Sequence, residues 1–181
     1  MKTWKIDSAH SEVKFKVKHL LVSTVTGQFN KFDAEIESPD DTFENSKITF
    51  SADVDSIDTK NEQRDGHLKS ADFFDAENNP KMTFVSKEFR KIADGKFELT
   101  GDMTIRGITK EVTLNVEYNG IAKGFDGLEV AGFEITGKLN RFDFGLQWNA
   151  MTEAGGIVVG PDVKLEIFAE MKEAAKASKA A

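Results

Sequence analysis

Between Glu12 and His19 the chain reads EVKFKVKH, with Val13, Phe15, Val17 and His19 on one side and Lys14, Lys16 and Lys18 on the other. A repeat of two sends one row of side chains into a core and the other into water, which is the signature of a half-buried β-strand. The same signature recurs along most of the chain. Phe32, Ala34 and Ile36 alternate with Asp33, Glu35 and Glu37, and Ile48, Phe50, Ala52 and Val54 alternate with Thr49, Ser51 and Asp53. Met82, Phe84 and Ser86 begin a fourth strand, and Phe97, Leu99, Gly101, Met103 and Ile105 form one face of a fifth. Val112, Leu114, Val116 and Tyr118 mark a sixth, Ala131, Phe133, Ile135, Gly137 and Leu139 a seventh, and Val163, Leu165, Ile167, Ala169 and Met171 the last. Most joints are short, and Asp94-Gly95 is a strong hairpin signal. Eight strands, each with one apolar face, predict an all-β fold: an eight-stranded antiparallel barrel, with a sandwich as the competing architecture. No strand alternates with a long helix, which disfavours a parallel α/β sheet.

The departures from alternation carry information too. Phe29 is out of phase with Phe32, which predicts a bulge near Asn30, and Leu139 and Phe142 cannot both face inward, which predicts a second bulge within NRFDFG (140–145). Leu20 to Thr26 also breaks the pattern and reads as a helical turn or a bend. The inward Gly101 and Gly137, with Ala34, Ala52, Ala131 and Ala169, predict open space inside the barrel; the rival reading is that they make room for neighbouring Phe rings. The largest interruption is Asp55–Pro80, between the third and fourth strands. Asn61–Ser70 has helix-forming ends around Gly66 and predicts one or two helical turns, with Asp72–Asn79 a loop. This segment is expected to cover one end of the barrel.

Composition narrows the function. Phe numbers 15 against one Tyr and two Trp, which suits a dry interior better than an aromatic surface for sugars or bases. The net charge of −7 comes with no basic stripe along the sequence, so nucleic acid is not an expected partner, and it disfavours general attraction to anionic membranes. There is no cysteine, which removes disulfides and thiolate chemistry. No stretch has the length of a membrane helix or of a signal-peptide apolar run. The expected location is therefore the cytoplasm for the chain as given, or the periplasm if a leader was trimmed.

Few residues offer chemistry. His10, His19 and His67 match no compact metal motif, so no metal is expected. Arg64, Asp65 and His67 form the densest polar group, readable as a head-group site or as ion pairs that fix the covering segment. In NRFDFG, Arg141 and Asp143 could meet each other or the cover, while Phe142 and Phe144 could plug the core or line a ligand. Asp53, Asp55 and Asp58 lack the loop pattern of a calcium site. There is no nucleophile elbow, phosphate-binding glycine loop or paired acid and base, so the chain is not expected to be an enzyme.

The ordered motifs W-x-I-D-x-x-H-S (Trp4–Ser11), F-x-V-x-H (Phe15–His19), G-Q-F (Gly27–Phe29), S-I-D-T (Ser56–Thr59), RDGHLKS, DFFD, GDMTIRGITK (Gly101–Lys110) and NRFDFG resemble the YceI-like family of lipid- and polyisoprenoid-binding proteins over nearly the whole length. The resemblance implies an extended lipocalin-like barrel over residues 1–172, followed by an Ala/Lys-rich tail (173–181) that frays or continues as a loose helix. It implies a long apolar cavity holding a polyisoprenoid, an isoprenoid quinone or a fatty acid derivative, with no other cofactor, and it carries an expectation of a homodimer. From inward phase, the lining candidates are Phe15, Val17, Phe32, Phe50, Phe84, Leu99, Leu114, Phe133 and Ile135. His19, Arg64, His67, Arg141, Phe142 and Phe144 are further ligand-binding candidates, and Phe73 and Phe74 are candidates for a stopper. The competing functions are a lipid-modifying enzyme with His67 or His10 as base, and a ligand-free, stress-related structural protein.

Overall fold

The computed structural model describes residues 1–175, so the end of the Ala/Lys tail lies outside the described residues. The strands are β1 (Lys2–Ile6), β2 (Glu12–His19), β3 (Ser23–Phe29), β4 (Phe32–Ser38), β5 (Lys47–Asp53), β6 (Ile57–Asp58), β7 (Lys81–Ala93), β8 (Lys96–Ile105), β9 (Ile108–Lys123), β10 (Glu129–Asn140) and β11 (Val159–Glu173). One α-helix, α1 (Glu62–Lys69), interrupts them. The strands pair antiparallel in the order β1-β4-β5-β7-β8-β9-β10-β11-β2-β3-β6, and β1 also pairs with β11. That last pairing closes the sheet.

Eleven segments make eight strand paths. β1 and β2 lie end to end along one edge of β11, Ile6 facing Met171 and Val13 facing Ile167. β3 and β4 continue each other beside them, and β5 and β6 do the same one place further on. With β7 to β11 the result is an eight-stranded antiparallel up-and-down barrel, which has no free sheet edge over most of its circumference.

The split in the first path has a clear cause. A 3-10 turn at Ser8–His10 carries the backbone away from β11, and the N–H of Asp7 still reaches the carbonyl of Glu170 at 2.8 Å. The hydroxyl of Ser11 accepts from the N–H of Glu170 at 2.9 Å, taking the place of a missing ladder bond. Ser11 is thus occupied by the backbone. In the second path, the expected bulge near Asn30 is a full break between Phe29 and Phe32, and this lets both rings turn toward the core. The bulge expected within NRFDFG is absent. β10 simply ends at Asn140, whose side chain caps a 3-10 turn over Arg141–Phe144, and Gly145 follows with φ 74°. The phase slips because the strand has stopped.

One end of the barrel is solid. Phe43, fully buried, packs at 5.2 Å from Trp4, 5.3 Å from Tyr118 and 5.1 Å from Phe133. It enters from the β4–β5 connection at φ 63°, so a loop residue plugs that end. The opposite end gathers the β2–β3 and β8–β9 turns, the β6–β7 segment containing α1, and the long β10–β11 connection.

The inward glycines do not leave free space. A Cβ on Gly101 would run into the ring of Phe84 and the backbone of Val85, and one on Gly137 into the side chain of Leu114. The rival reading holds: these glycines accept large neighbours.

Candidate functional site

The barrel interior contains two apolar chambers. The lower one, about 130 Å³, lies beneath the covering segment, with Phe15, Val17, Phe50, Phe73, Phe74, Arg141 and Phe144 in its wall. The upper one, about 100 Å³, is walled by Phe50, Phe84, Leu99, Leu114, Phe133 and Ile135 among others. Phe50, Met103, Leu165 and Ile167 belong to both walls and form a waist between them. The space is therefore one axial cavity constricted at its middle.

Of the residues expected from the sequence, five line neither chamber: Phe32, His19, Phe142, Arg64 and, on the outer side of the lid, His67. Phe32 packs half-buried against the core and borders a surface groove beside the Ser8–His10 turn, outside both chamber walls. His19 closes β2 opposite Ser23 and Val159, at the outer rim. Phe142 is on the outside, its ring against the Arg141 guanidinium at 4.6 Å. Arg64 faces its own loop: Nε donates to the Thr59 hydroxyl at 2.8 Å and Nη2 to the Thr59 carbonyl at 2.7 Å. Asp65 accepts from the Thr59 N–H at 2.9 Å. This pair fixes the start of α1, the positioning role that was the alternative to head-group binding.

The covering segment is a lid built from two layers. Asn61 caps α1 by accepting from the Arg64 N–H at 2.9 Å, as its residue type at that position favours. Phe73, Phe74 and Leu68 project from it into the lower chamber, with Phe74 edge-on to Phe29 at 6.1 Å. Above Phe73 lies His67, its ring 5.0 Å from Phe73 and 4.5 Å from Trp148, and its Nε2 pairs with Asp72 at 2.8 Å. His67 is thus an outer bolt of the lid, separated from the chamber by the ring of Phe73. Arg106, which the sequence shows only as a turn residue, donates from Nη1 to the Phe73 carbonyl at 2.8 Å and to that of Gly145 at 3.4 Å.

Arg141 is the one charged group buried in this wall. Its Nε donates to the Gly160 carbonyl at 2.9 Å, Nη1 to those of Leu146 and Trp148 at 2.6 and 2.8 Å, and Nη2 to that of Val159 at 3.0 Å. No carboxylate lies within 4 Å of it among the described residues. Burial accordingly holds its pKa below the ordinary arginine value. It organises the β10–β11 connection into a rim and sets a positive charge beside a chamber whose remaining lining, Lys14 apart, is apolar.

His10 lies elsewhere, on the outer wall. Its Nδ1 meets Asp7 at 3.0 Å and Glu170 at 3.7 Å, so these three side chains satisfy one another around the 3-10 turn. Hydrogen bonding to Asp7 raises the His10 pKa, and the same bond lowers that of Asp7.

A family model described as a YceI-like domain matches residues 4–171. A UPF0312 protein of Staphylococcus aureus is 44% identical over 171 residues, covering 94% of this chain and 97% of its own. The crystal structure of the Campylobacter jejuni YCEI protein superposes with a TM-score of 0.75 at 36% identity, covering 87% of this chain and 90% of its own. A polyisoprenoid binding domain from Saccharophagus degradans, implicated in plant cell wall breakdown, shares the fold at a TM-score of 0.70 and 12% identity, covering 94% of this chain and 98% of its own.

Proposed function

The chain belongs to the YceI-like family, and from that premise we propose that it binds an amphiphile whose single apolar tail enters the barrel axis, a polyisoprenoid, an isoprenoid quinone or a fatty acid derivative, for storage or transport. The observation that carries this reading is the pair of apolar chambers in line behind a hydrogen-bonded lid. A related fold described as polyisoprenoid-binding supports the ligand class. Each buried methylene contributes roughly 0.8 kcal/mol, so tail length sets most of the affinity. Chambers of about 130 and 100 Å³ are small beside the ~300–1,000 Å³ of common ligand sites, so a long tail needs the waist and lid side chains to move. The placement of His67 above Phe73, outside the chamber, favours binding over acid–base chemistry on the ligand.

Organic extraction of protein purified without detergent, followed by lipid mass spectrometry, tests this. A stoichiometric apolar species, or uptake of added cis-parinaric acid by the emptied protein, is the expected result. An empty extract together with no uptake would overturn the reading.

A further inference from the structure

The end of the barrel that carries the lid also carries an exposed aliphatic tip. The β2–β3 turn presents Leu20, Leu21 and Val22, which are 40%, 66% and 84% exposed. Leu20 and Leu21 take φ of 53° and 61°, the left-handed region that is strained for a bulky side chain. A turn that needs only to reverse the chain would favour Gly or Asn there. The Leu20 N–H donates to the Val158 carbonyl at 2.9 Å, which joins this tip to the β10–β11 connection bearing Met151, 75% exposed.

The tip borders the way into the lower chamber. Ser23–Gly27 of β3 pair only with β2, and the far edge of β3 is unpaired until Gln28 and Phe29 meet β6. Behind that edge Phe15 and Val17, both in the chamber wall, remain only half-buried. On the outer surface the register sets three lysines directly across from one another: Lys138 opposite Lys164, and Lys164 opposite Lys16. Like charges so placed destabilise a sheet. Lys16 and Lys138 find Glu166 and Asp162 at 3.3 and 3.8 Å, while Lys164 and Lys18 have no carboxylate within 4 Å among the described residues. Because this patch is drawn from three strands, it forms no run in the sequence, and it stands out on a chain of net charge −7.

We propose that the Leu20–Val22 tip docks the barrel mouth onto an anionic lipid bilayer, with the aliphatic side chains entering the interface and the lysine row facing the head groups. The inference rests on the apolar-tail reading, since docking at the unpaired β3 edge gives a lipid tail a path from bilayer to chamber that avoids bulk water. Apolar contact plus a few basic residues suits reversible attachment.

Flotation with vesicles of phosphatidylcholine and phosphatidylglycerol (3:1) at low salt tests the proposal, with pure phosphatidylcholine as control. The wild-type protein floats with the anionic vesicles, and salt weakens the association. Leu21→Ser with Val22→Ser weakens it by about tenfold or more, and Lys164→Glu also reduces it. Both positions of the double variant are surface-exposed, so uptake of cis-parinaric acid added from ethanol stays unchanged. Normal uptake without flotation, or flotation indifferent to the tip, overturns the docking inference alone. A wild-type dimer that the tip variant dissolves assigns the surface to a second copy and overturns it as well. Failure of uptake in the wild type overturns the ligand reading instead.

Discussion

Arg106 holds the backbone of Phe73: a guanidinium at the β8–β9 turn fixes the carbonyl of a residue whose ring closes the lower chamber. A hydrogen bond from a charged donor contributes roughly 1.5–3 kcal/mol. Arg106→Gln should therefore speed release of bound cis-parinaric acid by about tenfold or more, measured by stopped-flow fluorescence. Phe73→Ala with Phe74→Ala should act in the same direction by removing the stopper itself. Release rates equal to wild type in both variants would show that ligand leaves by another route.

Arg141 should behave as a structural residue first. Substitution by Met removes the guanidinium donors to four carbonyls, of which that of Val159 keeps Asn149 Nδ2 at 2.9 Å, at a cost of about 3 kcal/mol or more in urea unfolding. Arg141→Lys should recover little, because an ammonium cannot span acceptors placed around a planar fork. A Met variant as stable as wild type would mean that the β10–β11 connection does not depend on this residue.

The waist should set tail length. Met103→Ala widens the passage between the chambers at a cost of roughly 2–5 kcal/mol in the empty protein. Affinity for a series of fatty acids should rise to longer chains in the variant than in the wild type, by isothermal titration. An identical chain-length profile would place the tail outside the waist.

The Asp7–His10 pair gives stability a dependence on pH. The folded state raises the His10 pKa, so its contribution is complete below the unfolded value of about 6.5 and is lost as pH rises through the folded one. Asp7 is shifted down, so its contribution is present above about 3.8 and is lost as pH falls through its folded value. NMR titration should place the His10 ring above the free imidazole range, and Asp7→Asn should lower it, with Glu170 at 3.7 Å retaining part of the shift. A His10 titration unmoved by Asp7→Asn would remove the pair as the cause.

Much of the barrel was readable because alternation is a direct consequence of strand geometry: Phe97 to Ile105 and Ala131 to Leu139 lie in β8 and β10 as their patterns require. The covering helix was readable from Asn61 and the helix formers that follow. What escaped depends on contacts distant in sequence. Phe43 stands in a turn cluster with no periodicity, yet it plugs the barrel. The carbonyls that surround Arg141 come from the irregular 146–160 stretch, so the residue could be singled out but not its task. Gly101 and Gly137 were ambiguous because a missing side chain says nothing about what fills its place.

The three divided strand paths lie next to one another, and their breaks are joined sideways: the Asn30 N–H meets the Ser56 carbonyl at 3.1 Å, and the Asp53 N–H meets that of Lys31 at 2.9 Å. Together with the Ser8–His10 turn they make a crease across one side of the barrel, facing an unbroken staff of strands from β7 to β11. A cylinder creased on one side can change its girth by folding there, without breaking the ladders of the other side. On the carrier reading, such a crease would make capacity a property of the wall's angle as well as of its lining.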